Sequence, residues 1–547
     1  MAYVYMKVLE ETPDEYESGI TKLTAGKINE VYEKIVAHVK EGHTVLDLGC
    51  GPGTLAVLCA IKGAKVVAID LSEDMIAFAK EKSKSEGVSE KITFIQGDIT
   101  QLKNLLPQTK FDLIISTLAL SELRHLEQQL IFNQCWELLA KDGTIAFADE
   151  VSPINWGFKR LIYSVKRFFY STATYWKTKK ISRAVKRFHQ RLIETGFETE
   201  NSELFVGDTF ELIIAKKGTS NPPPAVLSDQ KIRGILGHIR NFLCILRAGS
   251  ALIPIEAGLY IYGNPSAQSP VLITANYQRT VRLVSNALQN QNAYLLVADT
   301  MGENIWCAAR GDKFGLREVV EVIKATRIEE LVQHRKLILP QLAAGGINHQ
   351  QIKKAIGWTV RFGPIYAKDI PSYLETGRKT EKQRTVSFDL KERIEMALQQ
   401  SYFLSKFFFF WVFLFGIVGA TILPNLSLFR IAILLLPVVW LAYIFFAMIF
   451  PLFPTSSFLR RGICYGSLLT FIFISVGIVL SSSLIVIGQW ALIGFIVGTF
   501  LGMDYSGATP ISHPSEIDQE YPIMIILLGV CLIVLLVVSV IILVIGG

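Results

Sequence analysis

His43–Lys82 reads HTVLDLGCGPGTLAVLCAIKGAKVVAIDLSEDMIAFAKEK, a strand, a glycine loop, a helix, a second strand and a second helix. Both strands are short, continuous apolar runs, the pattern of parallel strands covered on both faces. The loop glycines Gly49, Gly51 and Gly53 let backbone approach a ligand closely. Asp70 closes the second strand, where a carboxylate can hold both hydroxyls of a ribose. A third strand, KITFIQGDI, ends at Asp98; FDLIIST (111–117) and LLAKDGTIAFADE (138–150) follow. The repeat of strand and helix predicts a Rossmann-like α/β domain over residues 15–218.

Asp47-Leu48-Gly49-Cys50-Gly51-Pro52-Gly53, then Asp70, then Gly97-Asp98, resembles the class I S-adenosylmethionine-dependent methyltransferases. The resemblance implies that Asp47, Gly49, Gly51 and Gly53 line the methionine and ribose of the cofactor. It implies Asp70 for the ribose hydroxyls and Asp98 for the adenine amine. A dinucleotide-binding domain is the competing reading, but its fingerprint is GxGxxG, whereas this loop is GxGxG. No catalytic residue declares itself, and the sulfonium is already a strong methyl donor that mainly needs positioning. Trp156–Leu192 mixes Lys and Arg with many aromatics. It reads either as an acceptor pocket or headgroup contact, or as a solvated basic face. His125 and His189 are expected to be structural.

Residues 219–226 contain Pro222-Pro223-Pro224 and predict an extended linker. Short apolar strands return in PVLITAN (270–276), AYLLVAD (293–299), KLILPQ (336–341) and WTVRFGP (358–364). Helical patterns separate them, so a second, mostly parallel α/β domain is expected over 227–376. Ligands of such sheets sit at the carboxyl ends of the strands. DTMGENIWCAARG (299–311) occupies that position, and Cys307 there begins a helix, which favours the thiolate. A thiolate serves as nucleophile, disulfide former or metal ligand. None of the seven cysteines forms a CxxC pair, which argues against an iron–sulfur cluster or structural zinc site. His334 and His349 are the histidines that space could bring to Cys307. A lone thiolate also suits a metal held by a macrocycle, and a small buried hydrophobe is the plain alternative.

Asn304-Ile305-Trp306-Cys307-Ala308-Ala309 resembles the signature of the mercury-methylating corrinoid proteins. That family is related to the corrinoid subunit of the carbon monoxide dehydrogenase/acetyl-CoA synthase system. The likeness continues through His334–Leu374, Arg384–Leu398 and Leu501–Ser512. It implies a cobalamin-type corrinoid whose cobalt takes Cys307 as metal ligand from the lower face. It implies that Asn304, Ile305, Trp306, Ala308 and Ala309 form a cap helix against the corrin. The family continues with Gly-Lys-Gly, whereas this chain has Arg310-Gly311-Asp312, which alters the outer turn.

Residues 377–405 read as a basic linker and an amphipathic helix. Beyond it charge nearly vanishes, and apolar runs at 407–423, 431–451, 463–480, 484–502 and 522–545 each approach the ~20 residues of a spanning helix. An all-helical membrane domain of about five transmembrane helices is expected over 406–547. Lys406, Arg460 and Arg461 favour a cytoplasmic side that includes a polar loop at 504–521. The acidic start lacks an apolar core, so the folded domains are expected in the cytoplasm, beneath a multi-pass cell membrane.

Two methyl-handling modules on one chain suggest a relay from S-adenosylmethionine to the corrinoid, with Hg(II) as the final acceptor. The resemblance also implies a separate ferredoxin-like iron–sulfur electron donor. Lipid is the other expected partner, and nucleic acid is not. Two other readings stay open. One is a methyltransferase acting on a membrane-associated acceptor, with a non-catalytic corrinoid-like tether. The other is a B12 or metal carrier.

Overall fold

The computed structural model describes residues 13–106, 109–152, 183–246, 254–311, 313–405, 428–453, 457–479, 484–507 and 514–545, with Tyr163, Val165 and Arg167. Its first sheet has seven strands: β1 (Thr44–Leu48), β2 (Lys65–Asp70), β3 (Ile92–Gln96), β4 (Phe111–Thr117), β5 (Leu139–Glu150), β6 (Phe197–Phe205) and β7 (Phe210–Lys217). They lie in the order β3-β2-β1-β4-β5-β7-β6. Strands β1 to β5 are parallel, while β7 runs antiparallel to β5 and β6 antiparallel to β7. The parallel strands are those whose apolar runs stand out in the sequence. The closing hairpin does not stand out, because the edge strand FETENSELF is mostly exposed and polar. Strand order reverses between β1 and β4, so the ligand crevice of this sheet opens there.

The second sheet contains β8 (Gly258–Tyr262), β9 (Val271–Ala275), β10 (Ala293–Ala298), β11 (Lys336–Leu339) and β12 (Thr359–Phe362). Its order is β12-β11-β9-β10-β8, parallel except for β8. The order reverses between β9 and β11, which puts a second crevice at their carboxyl ends. The helix His125–Leu138 of the first domain lies against the helix Leu316–Thr326 of the second. Leu126 joins the apolar core formed by Val319, Val322 and the second sheet.

The carboxyl-terminal region is helical: Leu390–Ser405, Leu428–Ile449, Phe458–Val479, Leu484–Gly507 and Pro514–Ile545. Among the described residues, Phe458–Val479 and Leu484–Ser506 are long and apolar enough to cross a membrane. The expected spans at 431–451 and 522–545 fall in helices with shorter described apolar stretches, Val439–Leu452 and Gln519–Leu535. The expected span at 407–423 lies outside the described residues. Phe458–Val479 and Leu484–Gly507 pack through facing glycines. A Cβ on Gly498 would stand 2.7 Å from the Gly466 Cα, and one on Gly502 2.8 Å from the Gly462 Cα. Absent side chains therefore set the approach of the two backbones.

The expected polar loop at 504–521 is corrected at both ends, where 504–507 and 514–521 are helical, and residues 508–513 lie outside the described residues. The cause is partnering within the bundle. Tyr443 donates its hydroxyl to Asp504 Oδ2 at 2.7 Å, and Tyr505 donates to the Arg393 carbonyl at 2.9 Å.

Candidate functional site

The loop after β1 meets the end of β2 through backbone. The Gly49 and Cys50 N–H groups donate to the Ile69 carbonyl at 2.8 and 3.0 Å. Asp70 Oδ2 accepts the Gly51 N–H at 2.8 Å, and its Oδ1 accepts the Ser72 N–H at 2.9 Å. Gly49 and Gly53 have φ of 68° and 78°. A Cβ on Gly49 would lie 2.4 Å from Ala119 Cβ, and one on Gly53 2.7 Å from Ala79 Cβ, so both positions exclude a side chain. Asp98 stands beyond β3 rather than in it, and accepts the Thr100 N–H at 2.8 Å to start a short turn.

Asp47 is 2 % exposed, and its Oδ2 has no hydrogen-bond partner among the described residues. Burial first, and the Asp70 charge second, push its carboxyl up to about 7. A buried acceptor beside a second carboxylate fits a cationic ligand, as the ammonium and sulfonium of S-adenosylmethionine would be. The neighbouring Cys50 thiol is held well above the usual range by burial and by the same two carboxylates, so it is no nucleophile at neutral pH.

At the far end of this sheet edge, Asp149 Oδ2 accepts the Leu120 and Ser121 N–H groups at 2.7 and 3.1 Å. Glu150 accepts the Tyr163 hydroxyl at 2.7 Å and pairs with Arg167. Most of the basic aromatic segment around those two residues lies outside the described residues. Burial lowers His125 to about 2, which leaves it neutral, as a structural histidine would be.

In the second domain the loop that follows β10 is organised by one amide. Asn276 Nδ2 donates to Asp299 Oδ1 at 3.0 Å. Asn276 Oδ1 accepts the Thr300 N–H at 3.0 Å and the Gly302 N–H at 2.9 Å. The chain then turns through Met301 and Gly302, with φ of 57° and 79°. Asn304 Oδ1 accepts the Cys307 N–H at 2.9 Å and caps the helix Ile305–Arg310. Helical spacing buries Ile305, Ala308 and Ala309, half-buries Trp306, and turns Cys307 outward to solvent. The reading of Cys307 as a buried hydrophobe is therefore wrong.

A cavity of about 190 Å³ adjoins this helix at the crevice between β9 and β11. Thr274, Ile305, Leu339, Pro340, Leu342 and Tyr366 line it. Ile305 is the residue of this helix that lines the cavity, while Cys307, two positions on, is exposed to solvent, where its sulfur is open to a ligand. His334 Nε2 lies 2.9 Å from the Ser269 carbonyl oxygen at the amino edge of the sheet, away from Cys307. His349 is exposed at the start of the helix His349–Ile356.

Sequence reasoning missed Asn276, Asp299 and Gly346. A Cβ on Gly346 would stand 2.0 Å from the Ala309 carbonyl oxygen, so the turn after β11 seats directly on the Cys307 helix. The signal was present in LAAGGINHQ, where two adjacent glycines follow a strand.

Residues 39–196 match the family described as methyltransferase domain, and residues 230–374 match that described as CO dehydrogenase/acetyl-CoA synthase delta subunit. The acetyl-CoA decarbonylase/synthase complex subunit gamma of Methanopyrus kandleri is 37% identical over 123 residues, which is 22% of this chain and 26% of that protein. The chain thus spans about a quarter of that relative's length. The sterol 24-C-methyltransferase of Pneumocystis carinii is 34% identical over 119 residues, 22% of this chain and 30% of that protein. Among solved structures, the magnesium protoporphyrin IX methyltransferase of Synechocystis is 18% identical, with a TM-score of 0.29, covering 36% of this chain and 87% of its own. The two family matches support the cofactor pair expected from the sequence, S-adenosylmethionine and a corrinoid. The chain joins, in one polypeptide, a methyltransferase domain and a domain of the CO dehydrogenase/acetyl-CoA synthase delta-subunit family.

Proposed function

We propose that the chain is a membrane-anchored, corrinoid-dependent methyltransferase that directs a methyl group from S-adenosylmethionine to a cofactor held by Cys307, with Hg(II) as the final acceptor. The observation that supports this is the exposed Cys307, on a helix seated at the carboxyl end of the second sheet, in the same polypeptide as the glycine loop. When bound, the corrinoid supplies a low-valent metal able to take up a methyl group and pass it on.

The residues of the chain have distinct tasks. Asp47 faces the cationic end of S-adenosylmethionine, Asp70 holds the ribose, Asp98 the adenine, and the glycines admit the backbone. Transfer breaks the methyl–sulfur bond, leaves its electron pair on sulfur, and draws the new bond's pair from the acceptor. Cys307 would be the protein ligand to the corrinoid's metal, Asn304 and Ala309 fix its helix, and Ile305 with Trp306 would shield the site from water. A separate iron–sulfur protein supplies the low-potential electrons. Five helices anchor the chain, with both folded domains on the cytoplasmic side.

The test follows labelled methyl from S-adenosylmethionine in reduced, corrinoid-loaded, full-length protein, with and without Hg(II). Label should reach the corrinoid and then mercury. Label that stays on S-adenosylmethionine overturns the proposal. A second reading, methylation of a lipid acceptor, takes support from the similarity to a sterol methyltransferase. It requires activity on lipid that survives Cys307→Ala and is lost in Asp70→Ala.

A further inference from the structure

We infer that Arg124 is a positioning residue that locks the loop after β4 onto the loop presenting Cys307, so that the two sites of one chain act on each other and not on those of a second copy. The inference rests on the function proposed above. The turn 118–124 leaves the carboxyl end of β4 beside the glycine loop of β1, and Asp149 pins its start through the Leu120 and Ser121 N–H groups. Arg124 closes that turn with a side chain only 12% exposed. Its Nη1 donates to the Asp299 carbonyl at 3.2 Å, at the carboxyl end of β10. The Asp299 carboxylate in turn accepts from Asn276 and from the Met301 N–H, so Arg124 touches the residue on which the Cys307 loop is built.

The rest of the seam is ionic, with Arg124, Glu127, Glu318 and Glu321 largely buried and Arg317 exposed. Arg124 Nη2 donates to Glu321 Oε2 at 2.6 Å and to Glu127 Oε1 at 3.2 Å, and Glu318 Oε1 lies 3.5 Å from Nη1. Arg317 also pairs with Glu127. Two guanidinium groups thus face the carboxylates of Glu127, Glu318 and Glu321. Burial holds Glu321 up at about 8 despite Arg124. Loss of Arg124 leaves the buried Glu127 carboxylate, which Arg124 helps to hold below its ordinary value, with only the exposed Arg317, which is more disruptive than loss of a surface pair.

Other contacts extend the seam. Asn133 Nδ2 donates to the Ala325 carbonyl at 2.9 Å, and Arg327 Nη1 donates to Asn221 Oδ1 at 2.8 Å and to the Pro222 carbonyl at 3.0 Å. The linker therefore lies against the second domain instead of spacing it away.

The test compares Arg124→Gln and Arg124→Lys in the full-length chain by hydrogen exchange of residues 118–124 and 299–304. Arg124→Gln should raise exchange in both loops together by about 10-fold, the signature of a shared local opening. Arg124→Lys should restore part of it. S-adenosylmethionine affinity and the corrinoid absorption band should stay within about twofold of the parent. Glu321→Ala, which removes the acceptor of the Arg124 Nη2 hydrogen bond, should loosen the same two loops. Exchange in 299–304 that ignores both Arg124→Gln and Glu321→Ala overturns the inference. In a mixture of Asp70→Ala and Cys307→Ala chains, methyl transfer should stay absent; its recovery would show transfer between copies and overturn the inference. Failure of the parent chain to move label defeats the proposed function instead, and leaves the exchange result to be judged alone.

Discussion

Asn304 Oδ1 and the Cys307 N–H are 2.9 Å apart, so the residue three positions before the thiol caps the helix that carries it. That helix has only six residues, Ile305–Arg310, and so depends heavily on its first turn. Asn304→Ala should remove about 1 kcal/mol of cap, which is roughly a 5-fold loss of corrinoid affinity. Asn304→Ser should keep most of it. Titration followed by the corrinoid absorption band reads the loss, and the S-adenosylmethionine affinity of the same variants should not move. An unchanged corrinoid titration in Asn304→Ala would remove the cap from the binding argument.

Asp47 sets a pH dependence whose sign follows from its environment. Its carboxyl titrates near 7 in the folded protein against an ordinary 3.8. The folded state therefore holds a proton that the unfolded state has released. Stability from this group is complete below the ordinary value and is lost as pH rises towards 7. A cationic ligand favours the ionised form, so S-adenosylmethionine affinity should climb with pH and level off above about 7. Below that pH, binding should release a proton. Calorimetry in buffers of different ionisation enthalpy measures the release, and Asp47→Asn should abolish both the release and the slope. Proton uptake on binding would contradict this account.

Gly346 tests the support beneath the Cys307 helix. Its Cβ would stand 2.0 Å from the Ala309 carbonyl oxygen, a backbone atom that cannot rotate away. Gly346→Ala should cost roughly 1–3 kcal/mol by overpacking and should push the Cys307 helix outward. Corrinoid binding is expected to weaken at least as much as in Asn304→Ala, with S-adenosylmethionine binding intact. Equal weakening of both cofactors would indicate general unfolding instead.

These residues mark how far the sequence carries the argument. β1 to β4 and β9 to β12 are continuous apolar runs between turn residues, and each is placed correctly by its own composition. Asp70 and Cys307 are legible because each stands where a strand gives way to a loop. β6 is not legible, since its polar residues become a strand only by pairing with β7. Asn276 is 23 residues from Asp299, and Arg124 is 197 from Glu321, so neither pair leaves a local pattern. Asp504 looks like loop for the same reason: its partner Tyr443 lies on another helix.

The glycines of the helical region give the last prediction. Gly462 and Gly466 on one helix face Gly498 and Gly502 on the next, in antiparallel register. A Cβ on Gly466 would stand 2.4 Å from Thr499 Oγ1 and 2.6 Å from the Phe495 carbonyl oxygen. Two of the three closest atoms it meets are backbone, so rotamer changes cannot make room. Gly466→Val should therefore separate Phe458–Val479 from Leu484–Gly507, at roughly 1–3 kcal/mol. Gly488 is the control, because nothing lies within 4 Å of its Cβ position. Thermal unfolding in detergent should show a lower midpoint for Gly466→Val and a smaller change for Gly488→Val. The cofactor affinities of the folded domains should hold in both, since the glycine seam touches neither crevice. A Gly466→Val protein as heat-resistant as the parent would mean that the two helices do not meet through these glycines.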